Sequence, residues 1–107
     1  MQVLGDGGIA VDVRVVGSGA RTVVALAGFP LSREIWEPTA QRLATSSRVV
    51  LPELRGVGAS GLGEGPYLMD SLAADVAAVL DALADERASI IGHSLGGYVA
   101  LAFARMF

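Results

Sequence analysis

The string Ile-Ile-Gly-His-Ser-Leu-Gly-Gly, which begins at position 90, constrains the fold of this chain more than any other feature. The apolar residues from 88 to 91 predict a strand, and the apolar segment from Tyr98 to Phe107 predicts a helix. The turn between them is tight enough that a Cβ on Gly92 or Gly96 would collide with the neighbouring backbone. The chain therefore turns sharply from strand to helix around Ser94.

Such a turn predicts a specific conformation for Ser94. We expect a positive φ at this residue and a hydroxyl exposed at the carboxyl edge of the sheet. The start of the following helix offers backbone N–H groups that have no intrahelical partner. A serine in this place can act as a nucleophile beside anion-binding donors.

The length and composition indicate that residues 1–107 belong to one globular domain at most, of which they can be the N-terminal part. Hydrophobic residues make up 52% of the chain and charged residues 18%, which is typical of a buried core. The net charge of −3 and eight scattered arginines argue against a nucleic-acid partner, and the lack of cysteine excludes disulfides. No signal peptide and no apolar run of about 18 residues is present, so we expect a cytoplasmic protein without membrane contact.

Hydrophobic patterns predict four further strands and two helices. Residues 2–4 and 9–16 flank a glycine turn and predict an antiparallel hairpin, whereas the apolar runs 22–26 and 48–51 predict strands buried on both faces. A helix should start at Pro38 and end near Thr45. A second helix should be capped by Asp70 or Ser71. Four acids at solvent-facing spacing on or after it predict surface charge: Asp70, Asp75, Asp81 and Asp85.

Strands that alternate with helices predict an α/β fold with a mostly parallel sheet, which the opening hairpin makes mixed. Several motifs stand in order along this pattern. They are Ala27-Gly28-Phe29-Pro30, Trp36 with Pro38, the loop Glu53-Leu54-Arg55-Gly56-Val57-Gly58-Ala59-Ser60, and the turn 92–96. On these motifs the chain, from about Val11 to Phe107, resembles the N-terminal half of a serine α/β-hydrolase. The resemblance implies the spatial strand order 2–4, 9–16, 48–51, 22–26, 88–91.

The resemblance also implies roles for individual residues. Ser94 would attack the carbonyl of a small-molecule ester or lactone, and the backbone N–H groups of Phe29 and Leu95 would hold the oxyanion. Gly28, like Gly92 and Gly96, would be a structural turn residue. Neither a metal nor a cofactor is expected. The string is most similar to carboxylesterase-like and 3-oxoadipate enol-lactonase-like members.

The chain departs from the family pattern at three points. Ala27 stands where the family usually has a histidine, and Glu53 stands where it has an aspartate. The single histidine, His93, adjoins Ser94 in a turn where neighbouring side chains diverge, so a general base is missing. We therefore interpret the sequence as truncated after the nucleophile turn and its helix. Strand 88–91 would then be an exposed sheet edge through which the chain self-associates.

Other functions remain open at this point. A catalytically inactive α/β-hydrolase-like fragment or binding remnant would also lack a base. Acyltransferases carry a Gly-His-Ser-x-Gly string as well, although their fold lacks the loops around Gly28 and Arg55. Residues 56–61 spell a dinucleotide-binding string, but the glycines and proline that follow it exclude the helix such a site needs.

Overall fold

The computed structural model describes all 107 residues, and a five-stranded sheet forms its centre. The strands are β1 (Gln2–Leu4), β2 (Ala10–Val16), β3 (Arg21–Leu26), β4 (Ser47–Pro52) and β5 (Ser89–Gly92). Their order in space is β1-β2-β4-β3-β5. The order implied by the resemblance is thereby confirmed, and each strand ends within one residue of its predicted bounds.

Strand directions make the sheet mixed. Strands β1 and β2 form the predicted antiparallel hairpin, with Val3 opposite Val11, and β2 pairs antiparallel with β4. Strand β3 pairs parallel with β4 on one side and with β5 on the other, where Leu26 lies opposite Gly92. Strand β5 therefore forms one edge of the sheet, and its end lies beside the end of β3.

Helices cover both faces of the sheet. They are α1 (Glu37–Leu43), α2 (Met69–Ala82) and α3 (Leu95–Met106), and a 3₁₀ helix at Arg33–Trp36 leads into α1. Because side chains alternate along a strand, Val24 and Leu26 of β3 pack in the cluster under α2 and α3, whereas Ala25 packs towards α1. The continuous apolar runs are thus strands buried on both faces, as predicted. None of the helices combines the length and the apolar character that crossing a bilayer would require.

Helix boundaries show where local patterns mislead. Helix α3 begins at Leu95, three residues before the apolar segment that predicted it, and α1 ends at Leu43 rather than near Thr45. The predicted cap of α2 is wrong: the extended residue before this helix is Leu68, which provides no capping side chain, and Asp70 and Ser71 already lie in the first turn.

The predicted solvent-facing acids of α2 need one correction. Asp70 and Asp81 are exposed, and Asp85 is half-buried beside Arg48, but Asp75 is only 3% exposed. The reason lies in the helical spacing, because position 75 falls on the same side of α2 as the buried Leu72. Asp75 therefore belongs to the interior and needs a buried partner.

Candidate active site

Ser94 connects β5 to α3 in a strained conformation. Its φ of 54° and ψ of −115° lie outside the regions that residues with a side chain ordinarily occupy. The residue is exposed, and its carbonyl accepts hydrogen bonds from the N–H groups of Gly97 (2.9 Å) and Tyr98 (3.2 Å). The positive φ and the exposed turn at the carboxyl edge confirm the conformation that the sequence predicted. Strain of this kind concentrates at functional sites.

Three glycines allow the backbone segments around Ser94 to approach each other. A Cβ on Gly92 would overlap the carbonyl of Gly96, and a Cβ on Gly96 would overlap the carbonyl of Leu26 at the end of β3. A Cβ on Gly28 would lie 2.9 Å from the carbonyl oxygen of His93 and 3.1 Å from Cβ of Ser94. All three positions thus require glycine for space, because a Cβ at each would overlap the backbone opposite it.

Two backbone N–H groups on the segments next to Ser94 have no hydrogen-bond partner in the chain. Leu95 is the first residue of α3, so its N–H precedes the first intrahelical hydrogen bond. Phe29 follows Gly28 in the loop after β3, and its N–H donates to no group of the chain. This loop is turned by a hydrogen bond of 2.7 Å from the N–H of Leu31 to the carbonyl of Gly28. The two donors therefore lie on the two segments that Gly28 brings together.

Phe29 and Leu95 also line an open, largely apolar pocket of about 530 Å³. Arg55, Gly56, Leu62 and Tyr67, from the loop after β4, complete its wall. The volume lies in the range of small-molecule sites. One open pocket is thus bordered by Phe29, Leu95 and the loop that follows β4.

His93 packs beside Gly28 and lines a pocket other than the one bordered by Phe29 and Leu95. Its ring nitrogen Nδ1 would be 2.7 Å from a Cβ on Gly28, and the residue lines a second pocket with Ile35 and Trp36. No hydrogen bond joins the ring to the Ser94 hydroxyl, and the indole N–H of Trp36 is buried without a partner. That the side chains of His93 and Ser94 diverge stays a prediction, because His93 Nδ1 and Ser94 Cβ both lie close to Gly28.

The loop after β4 is held by a buried ion pair that the sequence reasoning missed. Arg55, 6% exposed, contacts Asp75 of α2, and one Asp75 oxygen also accepts the N–H of Asp6 (2.7 Å). The hydrogen bonds with Asp75 raise the pKa of the Arg55 guanidinium above its ordinary value. The helical spacing of Asp75 with Leu72 and Val79 was the signal that could have placed this carboxylate inside.

Tyr67 closes the same loop against Arg55. Its hydroxyl donates to the carbonyl oxygen of Arg55 at 3.1 Å. Burial raises the pKa of the Tyr67 phenol, an effect that the nearby Arg55 cation partly opposes. These contacts fix the wall of the pocket. Elsewhere in the molecule no three His, Asp or Glu side chains converge as a metal-binding group would.

Comparison with known proteins places this site in context. A family model described as the alpha/beta hydrolase fold matches residues 21–107. The pimeloyl-(acyl-carrier protein) methyl ester esterase of Edwardsiella ictaluri is 44% identical over 84 residues, which cover 78% of this chain and 31% of that protein. RutD of Caulobacter sp. (strain K31), named as a proposed carbamate hydrolase, is 38% identical over 88 residues, 81% of this chain and 33% of that protein.

The solved structures agree with the family match. The enol-lactonase from Burkholderia xenovorans LB400 superposes with a TM-score of 0.92 at 28% identity, over 99% of this chain and 42% of that one. The chain spans about a third of the length of the curated relatives it matches. The shared part includes the turn around Ser94 and both loops that border the first pocket.

Proposed function

The chain belongs to the α/β-hydrolase fold family, and from this premise we propose that it carries the nucleophile and the oxyanion hole of a serine hydrolase. The proposed substrate is a small-molecule ester or lactone. The observation that carries the proposal is the strained, exposed Ser94 at the first turn of α3, against which the Gly28 loop packs. Because one fold hosts many reactions, we argue the reaction from this site.

In the proposed reaction, the Ser94 Oγ attacks the carbonyl carbon of the substrate while its proton passes to a general base. The carbonyl oxygen becomes an oxyanion, and the N–H groups of Phe29 and Leu95 donate hydrogen bonds to it. When the tetrahedral intermediate collapses, the bond to the leaving oxygen breaks and that oxygen takes the proton from the base. Water then hydrolyses the acyl-Ser94 ester by the same steps.

The general base is the part of this mechanism that residues 1–107 do not supply. His93 is the single histidine, and its ring packs against Gly28 and lines the pocket beside Trp36 rather than bonding to Ser94. We place the base, and the acid that would orient it, outside these residues. An oxyanion hole alone still accelerates such reactions on the order of 10³-fold over water, so we expect weak activity from the 107 residues.

The apolar pocket supports a substrate with an apolar part. A group in contact with Phe29 and Leu95 would be adjacent to both proposed oxyanion donors. The hydrophobic lining would favour an alkyl or aromatic group over a charged one. We therefore propose that the pocket takes the acyl or alcohol portion of an apolar ester.

Hydrolysis of p-nitrophenyl acetate by the purified chain tests the proposal. Ser94→Ala removes the nucleophile, and Ser89→Ala is the matched control because it alters another exposed serine of the same segment. We expect the wild type and Ser89→Ala to hydrolyse the ester faster than Ser94→Ala, which keeps only the residual activity of the oxyanion hole, and acetyl-Ser94 to be detected by mass spectrometry. Equal rates in all three proteins, without acetylation, would overturn the proposal and favour a catalytically inactive member.

A further inference from the structure

Glu53 is a buried carboxylate that connects the two loops of the candidate site. It follows β4 directly and is 5% exposed. Its Oε2 accepts a hydrogen bond of 3.1 Å from the backbone N–H of Arg33, and its Oε1 lies 3.7 Å from Nε of the same residue. A single side chain thus contacts both the backbone and the guanidinium of the segment that follows the Phe29 loop.

The backbone of Glu53 is itself firmly held. Its N–H donates to the carbonyl of Asp12 at 2.9 Å, and its carbonyl accepts the hydroxyl of Ser60 at 2.7 Å. The Arg33 guanidinium reaches Asp12 as well, with 2.8 Å between Nη1 and Oδ2. Glu53 therefore extends from a rigid part of the sheet towards a loop.

The Phe29 loop has few other contacts that could fix its position. The side chain of Phe29 is 67% exposed, and Ala27 has no polar group to brace the loop. At one end Gly28 packs against the turn at Ser94, and at the other end Arg33 is bound to Glu53. Removing Glu53 would leave the Arg33 end of the loop held through the Arg33–Asp12 ion pair, without the bond to its backbone N–H.

We propose that Glu53 is a positioning residue, which keeps the Phe29 N–H directed at the space beside Ser94. This inference rests on the proposed function. The Glu53 side chain holds the loop through its bond to the Arg33 N–H. Its length matters: an aspartate would be shorter by about 1.5 Å and would not reach the Arg33 N–H.

The test compares Glu53→Ala and Glu53→Gln with Glu86→Gln, which makes the same chemical change at an exposed residue far from the loops. Ser94-dependent hydrolysis of p-nitrophenyl acetate is measured as kcat and KM. We expect Glu53→Ala to lower kcat at least ten-fold with KM nearly unchanged, because oxyanion donors act on the transition state. Glu53→Gln, which keeps an acceptor for the Arg33 N–H, should lose less. If Glu53→Ala does not fold, Glu53→Gln is the variant whose kcat and amide signals test the proposal.

Backbone NMR separates this inference from the proposed function. We expect the amide signals of Phe29 and Arg33 to shift in the Glu53 variants, and the Arg33 amide to exchange with solvent faster, but not in Glu86→Gln. The positioning role would be overturned if the kcat of a folded Glu53→Ala lay within two-fold of that of Glu86→Gln, or if its amide signals were unchanged. If Ser94→Ala shows that hydrolysis does not depend on Ser94, the proposed function fails and the amide signals alone decide whether Glu53 holds the loop.

Discussion

The guanidinium of Arg55 donates two hydrogen bonds of 2.8 Å to the carboxylate of Asp75, one from Nε and one from Nη2. The two residues are 20 positions apart and both are buried. This bidentate pair ties the loop after β4 to α2, and its neighbour Tyr67 lines the same pocket as Arg55. A buried ion pair thus supports the wall of the candidate active site.

Breaking this pair should cost far more stability than breaking an exposed pair. Asp75→Ala leaves the Arg55 cation buried without its partner, and we expect a loss of about 3–5 kcal/mol in the free energy of unfolding. Asp70→Ala, which removes the exposed pair with Arg105, should cost about 0–1 kcal/mol. Urea denaturation followed by circular dichroism measures both. Similar losses in the two variants would contradict the buried role of Asp75.

Adjacent glycines at the start of α3 should respond in opposite ways to alanine. A Cβ on Gly96 overlaps the Leu26 carbonyl, so Gly96→Ala should destabilise the fold by about 1–3 kcal/mol. A Cβ on Gly97 would lie 3.7 Å from the Gly92 carbonyl oxygen, an ordinary contact. Gly97→Ala should therefore stabilise the protein by up to about 1 kcal/mol, since alanine favours a helix. Thermal unfolding compares the two, and a stable Gly96→Ala would refute the close approach.

Proline at position 95 tests the oxyanion role of the Leu95 backbone. It removes the N–H, and the first position of a helix tolerates proline. We expect Leu95→Pro to lower Ser94-dependent hydrolysis by about 10²–10³-fold, towards the rate in buffer. Leu95→Ala keeps the N–H and serves as the control for the lost side chain. If both variants, shown to be folded by circular dichroism, hydrolyse esters equally, the Leu95 N–H has no role.

Stability should decline at high pH because of Tyr67. Its pKa is raised in the folded protein, so the native state holds the phenol proton more tightly than the unfolded chain does. The resulting stabilisation is complete below the unfolded pKa of about 10 and is lost as the pH rises through the folded pKa. Tyr67→Phe should weaken the pH dependence of the free energy of unfolding, which urea denaturation measures between about pH 9 and pH 11. If Tyr67→Phe left the pH dependence unchanged, Tyr67 would not be its source.

Filling the apolar pocket should alter chain-length preference. Leu62→Trp places a larger side chain in the lining, so we expect hydrolysis of p-nitrophenyl hexanoate to fall about ten-fold or more relative to the acetate. Leu101→Trp changes an exposed leucine on α3 that does not line the pocket, and its ester preference should match that of the wild type. An unchanged preference in Leu62→Trp would show that the substrate lies elsewhere.

Self-association remains a prediction from the position of β5. The strand pairs with β3 alone, so its other side presents unpaired backbone groups, and the nearby residues Tyr98 and Leu101 of α3 are exposed. We expect size-exclusion chromatography of the 107 residues to show a species larger than a monomer. A monomer at all concentrations would refute this prediction.

The local sequence was sufficient to predict the strands and helices and the turn around Ser94. Runs such as 22–26 and 48–51 are buried on both faces wherever they occur in an α/β sheet, so their pattern identifies them as strands. The conformation of Ser94 follows from Gly92 and Gly96, which lie only two residues away. Information carried within a few positions of the chain determines such features.

The tertiary structure decided the polar contacts that hold the site together. Asp75 is a residue type that usually lies at the surface. It is buried here because Arg55 lies opposite it once the loop after β4 folds onto α2. Glu53 meets Arg33 in the same way, across a gap of 20 positions. A buried carboxylate is stable only beside a donor that satisfies it, and that donor comes from a segment whose position depends on the folded sheet rather than on the local sequence.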